Sequence, residues 1–236
     1  MRKIFLASAM VFMAATSFAQ DHKEETITGN GKLVTREVSV QPFDALKANG
    51  IYELKLSQGE SESVKIEADE NLQDLFQVRN EGSKLIIETK KLEHKNLKTN
   101  DKMKVYVTFR NLKTLDLGTI GNVASEEQLA FNDLDVNNKS VGNVNLKMTV
   151  NKLELKNTSV GNVRLSGKAE NCIVRNTGVG SLQAGSFIVQ TMNIENTGVG
   201  AAEVNAEKDL KVKDSFLGKV SNKGSAHVRK MNKVVI

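Results

Sequence analysis

The sequence predicts an all-β chain, a right-handed parallel β-solenoid preceded by a β-rich N-terminal lobe. Three observations carry that reading. First, a glycine preceded by Ile, Val or Leu recurs six times, at Gly121, Gly142, Gly161, Gly180, Gly200 and Gly218, at intervals of 21, 19, 19, 20 and 18 residues. Periods near twenty mark solenoids, in which each repeat is one coil that buries its apolar face only by stacking on its neighbours. Second, aligning the chain on these glycines produces apolar columns. Two residues after the glycine stand Val123, Val144, Val163, Leu182, Ala202 and Val220, and six before it Leu115, Val136, Leu155, Val174, Ile194 and Val212. Eight before it come Lys113, Leu134, Leu153, Cys172, Met192 and Leu210. The spacing of two and the β-branched residues are those of strands, not of a helical stripe. Third, the polar column four before the glycine repeats one residue: Asn138, Asn157, Asn176 and Asn196, opened by Leu117 and closed by Asp214.

Asparagine tolerates turn conformations, and stacked amides at a strand spacing of about 4.8 Å can bond one another from coil to coil. The asparagine and glycine columns are therefore expected to form a structural corner. Right-handedness follows from the general rule for parallel connections. The residue just before each glycine (Ile120, Val141, Val160, Val179, Val199, Leu217) is expected inside the coil. On that expectation Val179→Asp unfolds the protein, whereas Asn176→Ala costs about 1 kcal/mol, because neighbouring rungs keep their amides.

The chain opens with Arg2 and Lys3, an apolar run from Ile4 to about Ala15, and the small-residue end Ser17-Phe18-Ala19. This is the layout of a secretory signal peptide over residues 1–19, too short to span a bilayer comfortably. Its removal takes the formal charge from +5 to +3, since two of the 33 cations leave and the 28 acids stay. Interspersed charge and export argue against nucleic acid. No later stretch reads as a membrane span, and the only cysteine, Cys172, excludes an internal disulfide.

A lead-in covers 20–42 and the β-rich lobe 43–112; the repeats, about six coils of 18–21 residues, cover 113–236. Within the lobe, apolar residues alternate in "YELKLS", "SVKIEA", "KLIIET" and "MKVYVTF", separated by the turn signals Asn49-Gly50, Gln58-Gly59 and Glu81-Gly82. Pro42 precedes this series, where it interrupts no ladder. "ADENLQDL" reads as one helical turn, and Lys91–Lys102 as a polar loop.

The stretch "FDALKANGIYELKLSQGESESVKIEADENLQDLFQVRNEGSKLIIET", followed by "GTIGNV", "KSVGNV" and "TSVGNV", resembles the head GIN domain of putative auto-transporter adhesins, from about Phe43 to Gly218. The resemblance implies an exported all-β solenoid with an adhesin-like role.

Candidate chemistry is sparse. His22, His94 and His227 share no ligand-like spacing, so neither a metal nor a cofactor is expected. Cys172, in a column of leucines and a methionine, reads as a small buried hydrophobe. Asp135 and Glu154, stacked seven before their glycines, are the one carboxylate pair that could serve a glycosidase or hold a cation. Phe216 is expected to pack over the final coil. The basic C-terminal run (Lys219, Lys223, Arg229, Lys230, Lys233) is expected to guard a strand edge, with an acidic polysaccharide as the alternative partner. The favoured reading is an exported, non-catalytic envelope or surface protein binding an unidentified macromolecule, a glycan or an envelope protein. The alternatives are a carbohydrate-active β-helix enzyme and a periplasmic partner of an envelope signalling or assembly system.

Overall fold

The structure is a computed structural model that describes residues 25–92, 95–99 and 103–231. The expected signal peptide, His22, His94 and Lys233 lie outside the described residues. The chain is a β-solenoid of about six turns, 68% strand and 3% helix. Its helical element is the 3₁₀ turn Glu70–Leu75, whose Leu72 plugs the core.

Four long strands form the body of the solenoid: Val144–Asn157, Val163–Asn176, Leu182–Asn196 and Ala202–Asp214. They stack in parallel, with Leu153 beside Cys172, Met192 and Leu210 in turn, and Leu155 beside Val174, Ile194 and Val212. In Val144–Asn157 the burial alternates strictly until Asn151 and Lys152, which are both exposed. There the strand bends and starts a new face, so one strand plus one glycine corner closes a coil.

The lobe joins this stack as further rungs. Ala45–Gly50 lies in parallel beside Thr114–Thr119, and Glu53–Gln58 beside Val123–Ser125. Lys84–Thr89 and Lys104–Phe109 form the rung beyond. The boundary drawn at 112 therefore falls inside one continuous stack with a single hydrophobic core. Asn49-Gly50, a turn signal in the sequence, is the corner of a coil, with Gly50 at φ 130° and paired with Thr119. Antiparallel strands then cap the assembly: Leu33–Val38 on Ser63–Asp69, and Phe76–Glu81 on Lys84–Thr89. The expected polar loop at Lys91–Lys102 contains a strand instead, Lys95–Lys98, paired in parallel with Glu25–Thr28. Ile27 and Leu97, partners in that pair, pack against the core, which gives a mostly polar segment its anchor.

Inside the corner, the asparagine amides form a continuous chain. Asn138 Nδ2 donates to Asn157 Oδ1 at 2.7 Å, Asn157 Nδ2 to Asn176 Oδ1 at 2.7 Å, and Asn176 Nδ2 to Asn196 Oδ1 at 2.5 Å. Asn196 Nδ2 finishes the series on the carbonyl of Gly218 at 2.6 Å. The Ser140 and Ser159 hydroxyls donate to Asn138 and Asn157 within their own coils. All four asparagines are buried, which raises the value of each bond, because an unmet amide there has no water to turn to.

Removing one rung strands two groups, the Asn157 amide on one side and the Asn196 carbonyl on the other. The sequence-based figure of about 1 kcal/mol for Asn176→Ala is therefore too small. A loss of about 2–4 kcal/mol is expected, read as a lower urea midpoint at unchanged slope.

Candidate functional site

The inward positions of a coil are the even ones counted from the glycine: −8, −6, −4, −2, +2 and +4. The glycine occupies an even, inward position where two successive backbones nearly touch. A Cβ on Gly161 would lie 2.2 Å from the Gly142 carbonyl oxygen, and one on Gly180 2.2 Å from that of Gly161. The φ angles there, 137° and 129°, also disfavour any residue with a side chain. By the same parity, the residue before the glycine must point outwards.

It does, contrary to the expectation that this column lies inside. Ile120, Val141, Val160, Val179, Val199 and Leu217 are each about half exposed, between 49% and 60%. The first five are bridged in parallel, each to the next, and Gly200 N–H continues the series by donating to the Leu217 carbonyl at 3.0 Å. Five steps of about 4.8 Å make an apolar stripe roughly 24 Å long, running along the solenoid axis. Phe216, at its end, is 98% exposed; it does not pack over the final coil as expected.

The borders of the stripe are mostly uncharged, with one lysine on each side. On one side stand Gly118, Lys139, Thr158, Thr177, Thr197 and Ser215, and on the other Asn122, Asn143, Asn162, Ser181, Ala201 and Lys219. The Asn122, Asn143 and Asn162 carbonyls each accept the backbone N–H of the next coil at 3.0 Å, which holds this border rigid. Charge is denser two residues beyond the threonines, with Asp116, Lys156, Arg175, Glu195 and Lys213.

The other sequence candidates fall elsewhere. Asp135 and Glu154 sit side by side in register on adjacent strands. Asp135 is exposed, and Glu154 accepts Lys152 at 2.8 Å. That hydrogen bond holds the Glu154 carboxyl below its ordinary pKa, the direction opposite to that of a general acid. Cys172 is fully buried, and burial pushes its thiol up to about 12, so it stays protonated and unreactive. Among the described residues no three His, Cys, Asp or Glu side chains gather as a metal would need. The basic C-terminal run is largely neutralised on the last coils: Lys223 pairs with Glu203, Arg229 with Asp209, and Lys230 with Asp214. Val228–Lys230 itself lies in parallel on the Ala202–Asp214 strand. No helix among the described residues is long and apolar enough to cross a membrane.

The fold is an all-β solenoid that carries a half-exposed aliphatic stripe along its length. The family described as "Putative auto-transporter adhesin, head GIN domain" matches residues 42–226, and the chain belongs to it. Among solved structures, it is similar to a putative adhesin from Bacteroides fragilis, with 26% identity and a TM-score of 0.73 over 87% of this chain and all of that one. A putative adhesin from Parabacteroides distasonis shares 20% identity, with a TM-score of 0.66 over 88% of this chain and 96% of that one. A putative lipid binding protein from the same species shares 19%, with a TM-score of 0.59 over 88% of this chain and all of that one. The last two bear on the fold alone. No curated protein matches the chain.

Because Val179 faces solvent, Val179→Asp is expected to fold, with stability within about 1 kcal/mol of the parent by thermal melting. A maleimide at neutral pH is expected to leave Cys172 unlabelled in the native protein and to label it once urea unfolds the chain.

Proposed function

We propose that this protein is an exported, non-catalytic, adhesin-like module of the cell envelope that binds another polypeptide along the Ile120–Leu217 stripe. The observation that carries the reading is the stripe itself, because a row of aliphatic side chains left half in water along a whole solenoid is not required by the packing of the coils. Apolar patches of this extent on soluble proteins mark interaction sites. Ten of its twelve border positions are uncharged, Lys139 and Lys219 being the exceptions, which favours a largely uncharged apolar strip on a protein partner, since interface centres are depleted in charge. Phe216 at one end is the natural anchor, an aromatic whose burial supplies a large share of the contact energy. Family membership supports an envelope or surface location.

Beads coated with the protein are expected to adhere to extracellular-matrix proteins or to intact bacterial cells. Adhesion should fall at least tenfold for the doubly substituted Val160→Asp/Val179→Asp protein, whose melting temperature should stay close to the parent's. Equal adhesion by the two proteins would sink the stripe. Protease shaving of intact cells supplies the address: loss of the protein while a periplasmic control survives is expected for surface display, and survival of both would move the partner search to the periplasm.

A further inference from the structure

Away from the stripe, a cavity of about 590 Å³ opens where the lobe meets the first full coils, lined by Phe131, Leu112, Pro42, Glu62, Arg110 and the Asp44–Lys113 pair, with Asp133 at its edge. Its size lies within the range of small-molecule sites, roughly 300–1,000 Å³. Its lining comes from segments far apart in the chain, and their backbones are tied together. Gln58 donates to the carbonyls of Arg110 at 2.8 Å and Ala130 at 3.0 Å, and accepts the Ala130 N–H at 2.8 Å. Lys113 N–H donates to the Asp44 carbonyl at 2.7 Å, and Asp44 N–H to that of Ser83 at 3.0 Å. A pocket held this way is largely formed before anything enters it.

Glu62 points to a ligand. Its side chain is only 10% exposed, yet its nearest cation, Arg110 Nε, stands 3.7 Å away, too far for a hydrogen bond. Among the described residues no donor satisfies this carboxylate. Neither carboxylate oxygen is sealed from water, so a ligand group placed here would take the place of solvent beside the ion pair. A hydroxyl placed between the two groups would donate to Glu62 and accept from Arg110, satisfying both.

The other walls narrow the chemistry. Phe131 is half-buried and lies on Phe109 with centroids 5.9 Å apart and rings 18° from parallel. With Leu112 and Pro42 it offers an apolar surface beside the polar pair. Lys113 and Asp44 cancel each other at 2.8 Å, and Asp133 adds negative charge that disfavours an anion.

We propose that this cavity binds a neutral pyranose, the terminal sugar of a glycan. The C–H face of the ring lies on Phe131, and a hydroxyl bridges Glu62 and Arg110. The proposal rests on different residues from the stripe and does not depend on it.

Saturation-transfer NMR on the full chain, with the methyl glycosides of glucose, galactose, mannose, fucose and glucuronate as probes, tests it. Transfer to at least one neutral glycoside is expected, with affinity at least tenfold weaker for Glu62→Gln and for Phe131→Ala. Arg110→Gln alters an exposed side chain, so it keeps the test valid should Phe131→Ala fail to fold; it is expected to weaken binding similarly. Binding should persist in the Val160→Asp/Val179→Asp protein. The proposal is overturned by no transfer to any neutral glycoside, by transfer to glucuronate alone, by binding unchanged in both Glu62→Gln and Arg110→Gln, or by loss of binding in the stripe variant.

Discussion

At each corner of the solenoid the backbone passes so close to the preceding coil that no Cβ fits between them, and much of the molecule follows from that approach. Gly142, Gly161, Gly180 and Gly200 would each place a Cβ within 2.5 Å of the carbonyl of the glycine one coil earlier. Holding the backbones there aligns the N–H of one corner with the carbonyl of the next, as in Gly161 to Val179 at 2.8 Å. It also brings the inward asparagines within reach of each other, and it turns the residue before the glycine outwards. Core, ladder and stripe are three consequences of one contact. The asparagines in turn relieve the polar cost of an inward corner, because Asn157, Asn176 and Asn196 each give and receive a bond to a neighbouring coil and Asn138 accepts from Ser140 of its own.

Solenoid architecture and family were both legible in the sequence, since the period near twenty and the columns at −8, −6 and +2 come directly from packing. The valine column was misassigned for a simple reason: β-branched and apolar, it looks like core. Only parity reveals its direction, for Val179 is one residue from Gly180, and Leu182 and Val174 each lie an even number of residues from it. The rung at Ala45–Gly50 escaped notice because no glycine stands at its repeat position: Gly50 pairs with Thr119 and Leu54 with Val123, which puts Tyr52 level with Gly121. The chain then makes a long excursion before returning at Thr114. The Glu62 cavity had no sequence signal at all. Its residues are scattered over about ninety positions, and only the stacking of the lobe on the coils brings them together.

The two surfaces differ in kind. The stripe is long, flat and repetitive, with nearly the same residue at every step, so it suits a partner that is itself extended and tolerant of register. The cavity is small and irregular, its polar groups held at one spacing, so it suits a compact ligand in one orientation. An adhesive protein uses both kinds of surface well: a local site for recognition and a longer one for retention, with linked contacts gaining effective concentration when they engage together.

The asparagine ladder also has a direction. Each interior amide donates forwards and accepts from behind, while Leu117 and Asp214 stand at its two ends. Every interior coil therefore presents the same half-bond on each side, and a whole coil gained or lost by duplication or deletion in the gene leaves a ladder that still closes. Descendants of such a chain can change length in increments of about 4.8 Å while keeping the same two ends. The apolar stripe would lengthen or shorten in step, so the reach of the protein can evolve without a change in the chemistry of its contact face.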